Sequence, residues 1–161
     1  ATAILVGDAL QSLAFEILSV QDFPDLAAQQ QLKMLQTLAK ACGTEGMAGG
    51  QAIDLNSNQL IESLEDLENL HALKTGALFT ACIELTLLAN PAVDDTNKTC
   101  LTEFAKHFGL LFQIQDDILD IVSDTASLGK PAAIDAKLDK RTFPYLLGLE
   151  EACQYSQQID L

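Results

Sequence analysis

Cationic side chains are scarce in this sequence: nine lysines and arginines stand against 23 aspartates and glutamates, a formal charge of −14. The shortage rules out a broad basic surface and, with it, a nucleic-acid partner, because only such a surface replaces phosphate counterions. Cysteine is sparse as well. Cys42, Cys82, Cys100 and Cys153 lie far apart with no CxxC pair, and His71 and His107 stand at no ligand spacing to them. Structural zinc is not expected, and the thiols read as small core residues of a reducing compartment, the cytoplasm. Strand-like alternation, internal repeats and low-complexity tracts are missing too. The longest apolar runs are broken by charge short of the ~20 residues that a membrane span needs, so none is expected. The sequence opens at Ala1 without Met and stops at Leu161 inside a helical pattern. A piece of a longer protein is the expectation.

What is present is helix. Of the 161 residues, 48% are apolar, enough for one domain with a real core. Apolar residues recur at the helical period over Ile4 to Leu18, Leu26 to Ala41 (at 32, 35, 38 and 39), Ser63 to Ala89, Asp95 to Ser123, and again from Pro144. Pro24, the CGTEG stretch and Asn90-Pro91 punctuate them. Ser63 and Asp66 form a capping-box pair. GMAGGQAIDL is rich in small residues, so a helix there lets a backbone or ligand come close. NSNQ reads as a polar turn. Residues 123 to 144 show no clear period. The fold class is all-α: a single domain, a bundle of long antiparallel helices.

FQIQDDILDIV, Phe112 to Val122, places three aspartates within an apolar helix. With Gln113 at zero and about 100° per residue, Asp116 falls at about −60°, Asp117 at about +40° and Asp120 at about −20°. One face thus carries all three acids and the glutamine. Phe108, Leu111, Phe112, Ile118, Leu119 and Val122 cover the rest, which predicts a helix surrounded by protein with its acids in a cleft. A solvated acidic stripe is the plainer alternative, but Phe108 to Val122 contains no Lys, Arg or Glu. Carboxylates without local cations repel, raise their pKa values or hold a metal, and a hard oxygen set without His or Cys suits Mg2+.

Four of the nine basic residues, Lys130, Lys137, Lys140 and Arg141, follow that helix. Beside the acids they suggest a metal-plus-lysine clamp on a diphosphate. From this comes the expectation that 124 to 142 becomes ordered over bound diphosphate. Lys74-Thr75-Gly76 lies inside a long helix, where Gly costs about 1 kcal/mol against Ala. A local irregularity exposing carbonyls and a hydroxyl would explain it; a lysine snorkelling to the surface is the plainer account. Gln51 and Asp54, after GMAGG, offer one more polar patch.

AILVGDALQSLAFEIL, GMAGGQAIDL, HALKTGAL, FGLLFQIQDDILDIVSDTASLGK and DKRTFPYLLGLEEA together resemble the trans-isoprenyl diphosphate synthases, in particular the bacterial farnesyl diphosphate synthases. The resemblance runs along almost the whole chain, and its implications are specific. The family fold is an all-α bundle of antiparallel helices around a deep central cavity. The family makes longer prenyl diphosphates by Mg2+-dependent head-to-tail transfer from an allylic diphosphate to isopentenyl diphosphate, commonly as homodimers. Asp116 and Asp120 would bind Mg2+, Asp117 would support that cluster, and Asp135 matches a further acid. Lys74, Lys130 and Lys140 would hold the allylic diphosphate. The Lys74 carbonyl, the Thr75 hydroxyl and Gln113 would face the developing cation, with Gln51 and Asp54 lining the cavity. The family's first aspartate-rich motif would lie upstream of AILVGDAL. A terpene cyclase, a non-catalytic partner subunit and a purely structural helical module are the competing expectations.

Overall fold

A computed structural model describes residues 1–20, 23, 26–128 and 140–159, the side chains of 123–128 excepted, and every regular element among them is helical. Helix α1 spans Thr2–Val20 and α2 spans Ala28–Cys42. A glycine-rich stop leads into α3, Met47–Asp54, and the short α4, Ser57–Leu60. The segment read as a polar turn, NSNQ, therefore supplies a helical turn, with Ile61 N–H bonding the Ser57 carbonyl at 2.9 Å. Ser63 caps α5, Leu64–His71: its hydroxyl accepts from Asp66 N–H while the Asp66 carboxylate accepts from Ser63 N–H, the reciprocal pair expected. The helix then widens into a π turn over Ala72–Gly76 and continues as α6, Ala77–Ala89.

The five-residue link after α6 turns the chain back into α7, Asp95–Leu128, which extends past the expected end at Ser123. The last helix, expected to be continuous from Pro144, is two: α8, Phe143–Leu147, and α9, Leu149–Gln158. Gly148 separates them at φ 86°, a conformation that a residue with a Cβ rarely takes.

Two clusters hold these helices together. Ile61, Leu67, Leu70, Ile114, Ile118, Phe143 and Ala152 join α5, α7, α8 and α9. Each large member contributes about 1.5–3 kcal/mol through burial. Leu18, Met34 and Leu38 join α1 and α2, with Leu78, Leu85 and Leu88 of α6 packed on them. In α2 the buried stripe is Met34, Leu38 and Ala41, whereas Leu32 is exposed.

Two expectations need correction. The acidic helix α7 is not enclosed: Phe112 is 49% exposed and Leu119 57%. Its covered side faces α5, α6, α8 and α9, and none of the described elements lies on the other. Nor is every apolar stretch too short for a bilayer. By length and composition alone, Thr2–Val20 and Leu64–Ala89 are long and apolar enough to cross one, with mean hydropathies of 1.6 and 1.4. The π turn matters here, because it carries α5 into α6 without a break. That joined helix is flanked by α2, α3 and α7.

Candidate functional site

The π turn is where the site begins. A π turn inserts one extra residue into a helix and leaves carbonyls out of the regular ladder. Here it falls on the Lys74-Thr75-Gly76 stretch, where the sequence predicted an irregularity. Two other backbones press on it. A Cβ on Gly50 of α3 would sit 2.3 Å from the Lys74 nitrogen, and one on Gly109 of α7 would sit 3.0 Å from the Gly76 Cα. Only glycine permits approaches this close.

Asp54 lies one turn after Gly50, on the same face of α3. Its Oδ2 accepts from Lys74 Nζ at 2.6 Å, and its Oδ1 lies 3.3 Å from Lys140 Nζ. One carboxylate is shared by two ammonium groups from segments far apart in sequence. Burial alone would raise the Asp54 pKa, but the hydrogen bond and charges of Lys74 and Lys140 outweigh it and hold the group below its ordinary value. The assembly keeps a surplus positive charge, which an incoming anion can use.

The three aspartates of α7 divide. Asp116 and Asp120 are exposed, one helical turn apart. Asp117 turns inward, its side chain 14% exposed, and its Oδ2 accepts from the Phe143 backbone N–H at 3.1 Å. Desolvation raises its pKa to about 6, against the opposing effects of the Phe143 N–H and the Lys140 charge. His71 Nε2 lies 4.0 Å from the same oxygen, too far for a hydrogen bond. Burial first, and the Lys74 charge second, push His71 down to about 4, so it is neutral near pH 7. Among the described residues neither ring nitrogen makes a hydrogen bond of good geometry, although the Gln113 side chain comes near enough to oppose the downward shift. The ring stacks on Phe143 at 5.5 Å.

Among the expected residues, Asp54, Lys74 and Lys140 therefore meet, and the Lys140 charge also reaches Asp117 and His71. Thr75 is half-buried in the π turn, Gln51 is exposed, and Gln113 is buried rather than open on the acidic face. Lys130 and Asp135, and most of the 124 to 142 segment, lie outside the described residues. Three residues went unassigned in the sequence. Gly50 was noted only as part of a small-residue stretch, His71 only as a failed zinc ligand, and Phe143 carried no signal.

No three His, Cys, Asp or Glu side chains among the described residues converge to enclose a metal. The donor set fits Mg2+ nonetheless. That ion keeps several waters and binds through one or two carboxylates plus phosphate oxygens, and Asp116 and Asp120 offer two hard oxygen ligands on one open face. A separate groove of about 610 Å³ lies between α2, α5, the π turn, α6 and α7, lined in part by Thr37, Ala72, Gly76, Thr80 and His107. None of the expected site residues that the structure describes lines it.

Known proteins resemble this chain over nearly its whole length. Farnesyl diphosphate synthase of Haemophilus influenzae is 47% identical over 160 residues, 99% of this chain and 54% of that protein. Its Escherichia coli counterpart is 47% identical over 152 residues, 94% of this chain and 51% of that protein. The Helicobacter pylori geranyltransferase, solved with magnesium and isoprenyl diphosphate, superposes with a TM-score of 0.77 at 35% identity, over 98% of this chain and 50% of that one. The chain thus spans about half the length of the relatives it matches. The polyprenyl synthetase family description matches residues 1–160. The chain belongs to the polyprenyl synthetase family.

Proposed function

We propose that the protein carrying this chain catalyses Mg2+-dependent head-to-tail prenyl transfer. An allylic diphosphate, dimethylallyl or geranyl, condenses with isopentenyl diphosphate to give a longer prenyl diphosphate such as farnesyl diphosphate, releasing diphosphate. The observation that carries the reading is the pair of lysines gathered on Asp54 near the acidic face of α7. Names of relatives at 47% identity support it.

In this mechanism Lys74 and Lys140, with Lys130, hold the diphosphate leaving group. Their charge stabilises the negative charge that builds as the carbon–oxygen bond breaks. Asp116 and Asp120, supported by Asp117 and Asp135, would hold Mg2+, which when bound supplies Lewis-acid stabilisation of the same leaving group. The Lys74 carbonyl, the Thr75 hydroxyl and Gln113 offer partial negative charge toward the allylic cation without a nucleophile to trap it. Attack by the isopentenyl double bond forms the new carbon–carbon bond, and a proton leaves to the released diphosphate. Gln51 and Asp54 line the cavity.

The same reading makes the whole protein a homodimer acting in the cytoplasm. The four cysteines are free, but Cys82 and Cys100 are exposed and Cys42 and Cys153 half-buried, so they are not the core residues that the sequence suggested. The 161-residue polypeptide alone would be inactive, since the first aspartate-rich motif that the resemblance implies is not among its residues. The test gives the whole protein isopentenyl diphosphate, Mg2+ and, separately, five-, ten- and fifteen-carbon allylic primers. A fifteen-carbon product from the shorter primers is expected. If no primer is extended, the acids serve a cyclase or a silent partner subunit and the reading falls.

A further inference from the structure

The inward turn of Asp117 separates it from its two neighbours. Its carboxylate accepts the backbone N–H of Phe143, the first residue of α8. Phe143 is fully buried and touches three further elements: it stacks on His71 of α5, lies tilted against Tyr155 of α9 and joins the core cluster with Ile114 and Ile118 of α7. Tyr155 in turn donates to Glu68 of α5. Around the bond, then, the chain cannot move without emptying a packed core. Three residues before Phe143 stands Lys140, whose ammonium reaches Asp54.

We infer that Asp117 is a positioning residue: its carboxylate ties the start of α8 to the acidic helix and so fixes where Lys140 emerges beside Asp54 and Lys74. This rests on the proposed prenyl transfer for its purpose and deepens it. It assigns metal contact to Asp116 and Asp120 and the placing of a cation to the acid between them. The geometry supports the division. A carboxylate oxygen already engaged by an inward N–H, with Phe143 and His71 beside it, sits away from the solvent face that Asp116 and Asp120 share. A carboxylate is not required for such a bond; a side-chain amide oxygen accepts the same N–H.

That last point supplies the test, made on the whole protein with Asp117→Asn, Asp117→Ala and Asp116→Asn. The first readout is hydrogen exchange of the Phe143 amide without metal. Asp117→Asn and Asp116→Asn should leave it near the unsubstituted rate, whereas Asp117→Ala should speed it about tenfold, the loss of one buried hydrogen bond. The second is binding of Mn2+ with inorganic diphosphate as probe. Asp116→Asn should weaken it about tenfold or more, while Asp117→Asn stays within about threefold of the unsubstituted protein.

Loss of probe binding in Asp117→Asn to the extent seen in Asp116→Asn would make Asp117 a metal ligand and overturn the inference. Unchanged Phe143 exchange in Asp117→Ala would overturn it as well. Asp117→Asn keeps the acceptor and loses only the charge, so it decides the question even if Asp117→Ala does not fold. Should the unsubstituted protein bind no metal–diphosphate probe, the prenyl-transfer reading fails. The tether is then judged on the exchange readout alone.

Discussion

His71 and Asp117 form a pair whose ionisation runs in opposite directions. The folded state lowers His71 from 6.5 to about 4, so it resists protonation. Stability that depends on neutral His71 is intact above 6.5 and is lost as pH falls toward 4. Asp117 is raised from 3.8 to about 6, so the folded state holds its proton more tightly and gains stability as pH falls through that window. The two effects largely offset each other between pH 4 and 6. His71→Phe removes the first, keeps a ring against Phe143 and leaves the second. Relative to the unsubstituted protein, this variant should gain on the order of 2–3 kcal/mol between pH 7 and pH 4. Denaturant unfolding at both pH values in metal-free buffer measures it, and a constant difference would mean His71 does not titrate in this range. The helical period placed three acids on one face and stopped there. Asp117 lies at the edge of that face, and which edge turns inward depends on Phe143, 26 residues later. Nothing local in the sequence says so. The Asp54–Lys74 pair is likewise set by how α3 packs on the π turn, not by any spacing.

At the scale of elements, punctuation was legible where its chemistry is local. Ser63 and Asp66 close a capping box, and a glycine next to a threonine inside a helix became a π turn. What was hidden depends on neighbours. FPYLLGLEEA reads as one helix, because a single glycine does not by itself break the period; its φ does. The packing of α3 on the π turn gives a further prediction. Gly50→Ala puts a methyl into the Lys74 backbone, which has no side-chain freedom with which to yield. Destabilisation of about 1–3 kcal/mol is expected, with α3 displaced and the Asp54–Lys74 pair loosened. Thermal unfolding and inorganic diphosphate affinity should fall together. If the melting temperature is unchanged, α3 does not press on the π turn.

Across the whole molecule, the all-α class could be read because the period of 3.6 is kept almost throughout, but enclosure could not. Apolar residues around α7 show what the helix needs covered, and the described residues cover only one side of it. The same holds for α1, where Ile4, Leu5, Val6, Leu10, Leu13, Ile17 and Val20 are exposed. Phe104, Phe108 and Phe112 of α7 are open as well, and clustered exposed apolar side chains of this kind mark surfaces that associate. Residues 1–161 prepared alone should therefore self-associate at micromolar concentration, despite a formal charge of −14. Light scattering on a sizing column reads this directly; a monodisperse monomer would show that α1 and α7 find cover within the chain. The crossing of α3, the π turn and α7 has a different consequence. Where Gly50 meets Lys74 and Gly109 meets Gly76, main chain rests on main chain with no side chain between. Such a joint works as a surveyor's datum: side chains elsewhere around it can change size, while the heights of Lys74 and Asp54 above it stay the same.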